Sequence, residues 1–306
     1  MELEELWIRF IREEIKKESS VRILIIGASG YLGRHVYKYF KSCYPEVIGT
    51  YRNHQVDSSM IQFDMNRDDI CDIALQEGDQ DKFAVICAAE TRWDVCEISV
   101  EESYQTNVIS TINLIEKLKQ MGYYIVVCSS DAVYAGTRGD YRETDQVEPV
   151  NEYAKMKVQM EKYIAEHCPD VCIFRLSKLI GDINLPKDTL NEWKRMALRK
   201  EDIYCIKGNC FSPMCVDDVA KCIEIAFNNR ISGIYNICGD VAYSRADLCK
   251  AFLKELGLTA NVYEKNEEEF GFLSKRSMNV GMNNQKAKEA LKYSFTNMQE
   301  VFMRYK

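Results

Sequence analysis

An apolar run ending in Ile25-Ile26 passes directly into Gly27-Ala28-Ser29-Gly30-Tyr31-Leu32-Gly33. Few short patterns restrict a fold more tightly. Three glycines spaced three residues apart, between a strand and a helix, suit a tight turn at Gly27. They also suit a close backbone approach to a ligand at Gly30 and close helix-to-strand packing at Gly33. A helix opening near Tyr31 would aim its free amides at an anionic group, so the turn reads as a phosphate cradle for a dinucleotide.

The rest of the chain supports that placement. Predicted strands over 21–26, 47–51, 61–63, 83–87, 124–128 and 171–175 are short and apolar on both faces, as a covered parallel sheet requires. Helical stretches separate them, the longest spanning 31–41, 100–121 and 152–167. This alternation predicts an α/β fold with a doubly wound parallel sheet of the Rossmann type. After Gly181 the pattern loosens into short mixed elements, which predicts a smaller C-terminal substrate-binding lobe. The expected organisation is an amphipathic helix over 1–20, a dinucleotide-binding domain over 21–180 and a substrate lobe over 181–306. Residues 213–240 are expected to return to the first domain.

The 306 residues are 46% hydrophobic with a net charge of −7. That is enough apolar material for a full core, and no basic stripe suggests nucleic acid. Thirteen cysteines include no CxxC pair, and the three histidines lie far apart. Buried thiols in a reducing cytoplasm are expected, with no metal site, and Cys168 with Cys172 is read the same way. Residues 1–20 carry six acidic side chains and no continuous apolar core, so neither a secretory leader nor a membrane role is expected. That helix is read as a lid or a dimer contact.

Where the second strand ends, a dinucleotide site for NAD usually offers a carboxylate to the ribose. Here the segment is Gly49-Thr50-Tyr51-Arg52-Asn53. Arg52, helped by Arg34, can pair with a 2′-phosphate, so NADP(H) is favoured and NAD(H) is the alternative. Asp64, at the end of the third strand, is the expected adenine contact.

Tyr153 and Lys157 stand four residues apart and share one face if 152–167 is helical. A lysine ammonium beside a phenol favours the phenolate and lowers its pKa. The strand 124–128 leads into Ser129-Ser130-Asp131-Ala132-Val133-Tyr134, which delivers hydroxyls to the carboxyl end of the sheet. Ser130 can then orient the oxygen that Tyr153 protonates.

With these motifs in order, the chain resembles the extended short-chain dehydrogenase/reductases of the nucleotide-sugar epimerase/dehydratase group. Within it, the chain is most similar to the dTDP-4-dehydrorhamnose reductase-like, sugar-nucleotide-binding branch. The match also runs through Cys87-Ala88-Ala89-Glu90-Thr91, Asp94-Val95-Cys96-Glu97, Thr106-Asn107-Val108 and Phe174-Arg175-Leu176-Ser177. Val216-Asp217-Asp218-Val219-Ala220 and Gly233-Ile234-Tyr235-Asn236 extend it towards the C-terminus.

The resemblance implies Ser130, Tyr153 and Lys157 as the catalytic set, with Asn107 supporting the active-site helix. With the readings above, it makes the cofactor-binding set Gly27, Ser29, Gly30, Tyr31, Leu32, Gly33, Arg34, Arg52, Asp64, Met65, Ala88, Ala89, Thr91, Asn107 and Lys157. Two departures stand out. Cys87 replaces the usual Asn, and Ser130 is followed by Asp131-Ala132 rather than the Asp-Glu pair of dehydratases.

The implied enzyme is an NAD(P)-dependent oxidoreductase of carbohydrate biosynthesis: an NADP(H)-dependent reductase of a nucleotide-linked keto-sugar, acting alone or as a homodimer. An epimerase with tightly bound NAD(P) and a non-catalytic NADP-binding regulatory subunit are the alternatives. In the substrate lobe, Lys178, Lys187, Lys194, Arg195, Lys207 and Arg276 are candidate cations for a sugar diphosphate, of which one or two are expected to serve. Trp93 and Trp193 are candidate pocket walls. Asp217 or Asp218 is the expected cap of a helix opening near Val216.

Overall fold

The computed structural model describes residues 21–74 and 81–306. The amphipathic segment 1–20 lies outside the described residues. The central strands are β1 (Val21–Ile26), β2 (Glu46–Tyr51), β3 (Ile61–Gln62), β4 (Asp81–Ile86), β5 (Tyr124–Ser130) and β6 (Cys172–Leu176). The second half adds β7 (Leu179–Ile180), β8 (Ile203–Ile206), β9 (Cys210–Phe211), β10 (Met214–Cys215), β11 (Gly233–Ile237), β12 (Tyr243–Ser244) and β13 (Val262–Lys265).

Seven strands form one sheet in the order β11-β6-β5-β4-β1-β2-β3, and every neighbouring pair in it is parallel. The chain runs outward from β1 towards β3, then returns to β4 and builds in the opposite direction. The reversal between β1 and β4 opens a crevice at the carboxyl ends of those strands, where ligands bind in doubly wound sheets. The fold is therefore the Rossmann-like α/β architecture that the alternation of elements predicts. The unforeseen strand of this sheet is β11, which pairs with β6 from Gly233↔Cys172 to Ile237↔Leu176.

Helices cover both faces of the sheet. The helix Tyr31–Cys43 buries Gly33, Val36, Tyr37 and Phe40, a stripe at the three- and four-residue spacing of one helical face. The helix Val216–Asn229 places Val219, Ala220, Ile223 and Phe227 in the same core, and Ala287, Leu291 and Phe295 near the C-terminus join them. A second core, around Ile180, Leu190, Trp193, Phe252 and Phe302, supports the lobe beside the cleft.

Two local expectations change. The helix over 100–121 is not continuous α: Val100–Tyr104 and Thr111–Gln120 are separated by a π-helical stretch, Gln105–Ser110. The Thr111 hydroxyl donates to the Thr106 carbonyl at 2.9 Å, a five-residue bond that suits the wider turn, and such turns gather at functional positions. Asp217 and Asp218 do not cap the helix Val216–Asn229, whose N-cap is Cys215. Asp217 is drawn instead to His35 at 2.7 Å and Arg304 at 2.8 Å. Asp218 accepts from Tyr293 and from both the amide and hydroxyl of Thr296.

Candidate functional site

A cleft of about 850 Å³ opens at the carboxyl ends of β1, β4, β5 and β6, with the second lobe as its far wall. Its near wall is main chain. Gly27 has φ +82°, and a Cβ there would lie 2.7 Å from the Ala88 nitrogen. A Cβ on Gly33 would lie 2.0 Å from the Gly27 carbonyl oxygen, so helix and turn touch only because Gly33 is bare, while the bare Gly27 lets the turn approach Ala88. The Gly27 amide donates to the Thr50 hydroxyl at 3.1 Å, a support absent from the motif. The helix Tyr31–Cys43 has no side-chain cap at Gly30, which leaves its first amides free to face an anion.

Ser29, Leu32, Ala88, Ala89, Thr91, Asp64 and Met65 stand on this turn or the adjoining strand ends, and Leu32, Ala89 and Thr91 line the cleft itself. Arg52 is exposed just beyond β2. Arg34 is a correction: its guanidinium pairs with Asp182, which holds it away from a 2′-phosphate. Asn107 is another. Its side chain is buried, accepts from the Glu90 amide at 2.8 Å and donates to the Glu90 carbonyl at 2.9 Å. With its amide turned onto that peptide, Asn107 orders the loop after β4 and reaches Met156 Sδ on the Tyr153 helix at 3.7 Å, without lining the cleft as a cofactor contact would.

Ser130, Tyr153 and Lys157 meet in this cleft. The helix Glu152–His167 begins with an Asn151 cap, whose side chain accepts from the Ala154 amide at 2.8 Å. Its buried face includes Tyr153, Lys157 and Glu161, unusual cargo for an apolar face. The Tyr153 phenol shares this cleft with the Ser130 hydroxyl, and the Trp93 indole stacks on the Tyr153 ring at 5.9 Å with planes 19° apart. Lys157 Nζ donates to the Cys128 carbonyl at 3.0 Å and sits 5.9 Å from the Tyr153 ring centroid.

Here the expected electrostatics reverse. Burial raises the Tyr153 pKa and the nearby Asp131 charge adds to the rise, while the Ser130 hydrogen bond opposes it. Burial also lowers the Lys157 pKa. The phenol is thus held protonated at neutral pH, the form that donates a proton.

Below this group lies a buried ion pair. Arg175 Nη2 meets Glu161 Oε2 at 2.6 Å, Glu161 also accepts from the Ser129 hydroxyl, and Arg175 Nη1 donates to the Tyr134 hydroxyl at 2.8 Å. Tyr134 donates on to Asn236 at 2.9 Å. The network ties β5, β6, β11 and the Tyr153 helix together. Cys87, in place of the usual Asn, lies 3.9 Å from Cys128 sulfur to sulfur.

The far wall is made of side chains. Lys178 and Arg276 reach the cleft, and so do Arg245 and Arg92, which sequence reasoning missed. Lys187, Lys194, Arg195 and Lys207 do not line it, and Lys194 donates to the Tyr305 carbonyl. Arg276 lies between Trp93 at 4.8 Å and Phe272 at 4.2 Å, and its Nη2 donates to Asp94 at 3.1 Å. Its Nε is buried with no partner among the described residues. Trp93 lines the cleft, while Trp193 packs in the lobe core. Among the described residues, no helix is long and apolar enough to cross a membrane.

Comparison with known proteins gives a consistent picture. The family model described as RmlD substrate binding domain matches residues 21–305. Methionine adenosyltransferase 2 subunit beta of Bos taurus is 32% identical over 176 residues, 57% of this chain and 52% of that protein. The match to this chain thus spans about half the length of such relatives. The "Probable low-salt glycan biosynthesis reductase Agl14" of Haloferax volcanii is 25% identical over 79% of this chain and 82% of its own length. Among solved structures, a hypothetical dTDP-4-dehydrorhamnose reductase from Sulfolobus tokodaii superposes with a TM-score of 0.81 at 25% identity. That alignment covers 92% of this chain and 99% of the other.

Proposed function

The chain belongs to the RmlD substrate binding domain family, and from that premise we propose that it is an NADP(H)-dependent reductase of a nucleotide-linked keto-sugar. The observation that carries this reading is the meeting of Ser130, Tyr153 and Lys157 in the same cleft as the glycine turn. The bare turn and the uncapped amides of the helix Tyr31–Cys43 fit a pyrophosphate. Arg52, in a segment 49–53 that carries no acidic residue, favours a 2′-phosphate.

A bound nicotinamide would supply the hydride. The residues supply the rest. As the ring carbonyl oxygen gains negative charge, the Tyr153 hydroxyl donates its proton to it, and the Ser130 hydroxyl donates a hydrogen bond that fixes its position. Lys157, anchored on the Cys128 carbonyl, would orient the ribose next to Tyr153. On the substrate side, Arg276, Lys178 and Arg245 would neutralise the diphosphate.

The test is oxidation of NADPH, and separately of NADH, by the purified protein with a panel of nucleotide-4-keto-sugars, next to Tyr153→Phe. Turnover that disappears in the variant supports the reductase and identifies the sugar. Saturable cofactor binding with no oxidation overturns it.

A second reading rests on the beta-subunit relatives, 32% identical over their matched half: the chain would bind the dinucleotide and regulate a methionine adenosyltransferase. Co-elution with a catalytic methionine adenosyltransferase subunit, together with an inert sugar panel, would favour it. The hydroxyl, phenol and ammonium present at 130, 153 and 157 weigh against a purely regulatory role.

A further inference from the structure

A reductase that uses Tyr153 as its acid must return a proton to the phenolate after every turnover. The helix side of the site offers a poor source, because Lys157 is turned onto the Cys128 carbonyl. On the other side, the Ser130 hydroxyl shares the cleft with the Tyr153 phenol and donates to Asp131 Oδ1 at 3.2 Å. A serine hydroxyl both donates and accepts, and its hydrogen can rotate between two partners. Asp131 also lines the cleft, so it has a route to solvent protons.

We propose that Asp131 acts through Ser130 as the residue that reprotonates Tyr153, a role that rests on the reductase reading above. The substrate oxygen takes the Tyr153 proton and leaves a phenolate. The Ser130 hydroxyl gives its proton to that phenolate as the Asp131 carboxylic acid gives its own to the Ser130 oxygen. The carboxylate left on Asp131 recovers a proton from solvent at the cleft. No electrons move in the relay, and one proton enters for each one the product carries away.

The surroundings suit the task. Burial pushes the Asp131 carboxyl up to about 6, against the Ser130 hydrogen bond and the Lys178 charge that favour ionisation. The titratable groups facing it are Tyr153 from its helix, Lys178 after β6 and Cys238 after β11. An acid with a pKa near the working pH transfers protons efficiently in both directions. Asp131 opens the short helical turn Asp131–Val133, and its carboxyl also faces Ser177 after β6, so melting is read beside kcat to separate a loss of fold from a loss of the relay.

The experiment compares wild type with Asp131→Asn and Asp131→Glu. It reads kcat and KM across pH on the active keto-sugar, thermal melting, and the carboxyl infrared band of the protein without added ligand. Asp131→Asn is expected to lower kcat about 100-fold, with KM and melting unchanged. Wild-type kcat should fall as pH rises past about 6, where Asp131 ionises. That break should vanish in Asp131→Asn and persist in Asp131→Glu. A carboxyl band titrating near that pH should be present in wild type and missing in Asp131→Asn. Wild-type kcat with an unchanged break in Asp131→Asn, or a band titrating in the ordinary carboxylate range, overturns the relay alone. A wild type inert on every sugar, with the band still titrating near 6, overturns the reductase reading and the relay with it.

Discussion

Along the Gly27–Gly33 turn the cleft is walled by main chain, whereas across from it the wall consists of long side chains from Lys178, Arg245 and Arg276. The first wall tolerates almost no change at Gly27 and Gly33, since an added Cβ at Gly33 would meet a carbonyl oxygen 2.0 Å away. The second can rearrange. Arg276 is held by stacking between two aromatic rings and by a single pairing with Asp94, contacts that an incoming anion can replace one at a time. A rigid wall suits a cofactor that stays the same, and an adjustable one suits a substrate whose identity differs among relatives of one fold.

The sharpest way to break this contrast is at Tyr153, which both walls serve. Tyr153→Phe should lower kcat by about 10²–10⁴-fold while leaving cofactor affinity intact, as read by NADPH oxidation and by fluorescence titration. Next, Gly33→Ala probes the rigid wall. It should destabilise the fold by about 1–3 kcal/mol through overpacking and weaken cofactor binding, measured by denaturant melts and titration. If cofactor binding survives, the wall is not rigid.

Arg276→Ala probes the adjustable wall. KM for the nucleotide-sugar should rise about ten- to a hundredfold, the loss of one charged hydrogen bond, with kcat and melting temperature nearly unchanged. An equal fall in kcat would mean that the lobe also positions the reacting atoms.

The smallest effect is expected where the two regions are pinned together. His35, on the helix after the glycine turn, lies 3.0 Å from Asp182 Oδ2 and 2.7 Å from Asp217 Oδ1. Burial lowers its pKa, but the hydrogen bonds to Asp217 and Asp182 outweigh that and raise it overall. A group with a raised folded pKa stabilises fully below its unfolded value, near ~6.5 for histidine. That contribution is lost as pH rises through the higher folded value. Wild type should therefore lose its thermal advantage over His35→Gln between mildly acidic and alkaline pH. A constant difference across that range would show that the pinning is not ionic.

The two walls also differ in how far they can be read from sequence. The glycine turn, the strands around it and the Tyr153 helix are local patterns, and each requires particular residues at fixed spacing. The far wall brings together positions 93, 178, 245 and 276, which no spacing connects. Arg245 escaped notice because it is the first residue of an ordinary helix, Arg245–Glu255. Strand β11 was hidden because Asn236, fully buried, breaks its apolar pattern, and its amide is needed by Tyr134 and the Tyr141 carbonyl. Arg34, Asp217 and Asp218 were misread for the opposite reason. Local logic gave them a role, and partners distant in sequence took it. The sign of the Tyr153 shift failed because proximity to a lysine is visible in a sequence, while dehydration of a phenol is not.

Trp93 can serve as a reporter of the cleft. It lies against the Tyr153 ring and under the Arg276 guanidinium, and of the chain's three tryptophans Trp193 is enclosed in the lobe core. With Trp7 and Trp193 replaced by phenylalanine, the remaining indole becomes an optical probe built into the cleft. Its emission would change when a reduced nicotinamide accepts its excitation energy, and separately when Arg276 swings away to meet an anion. Arrival of each ligand could then be timed on one instrument, in an unlabelled protein.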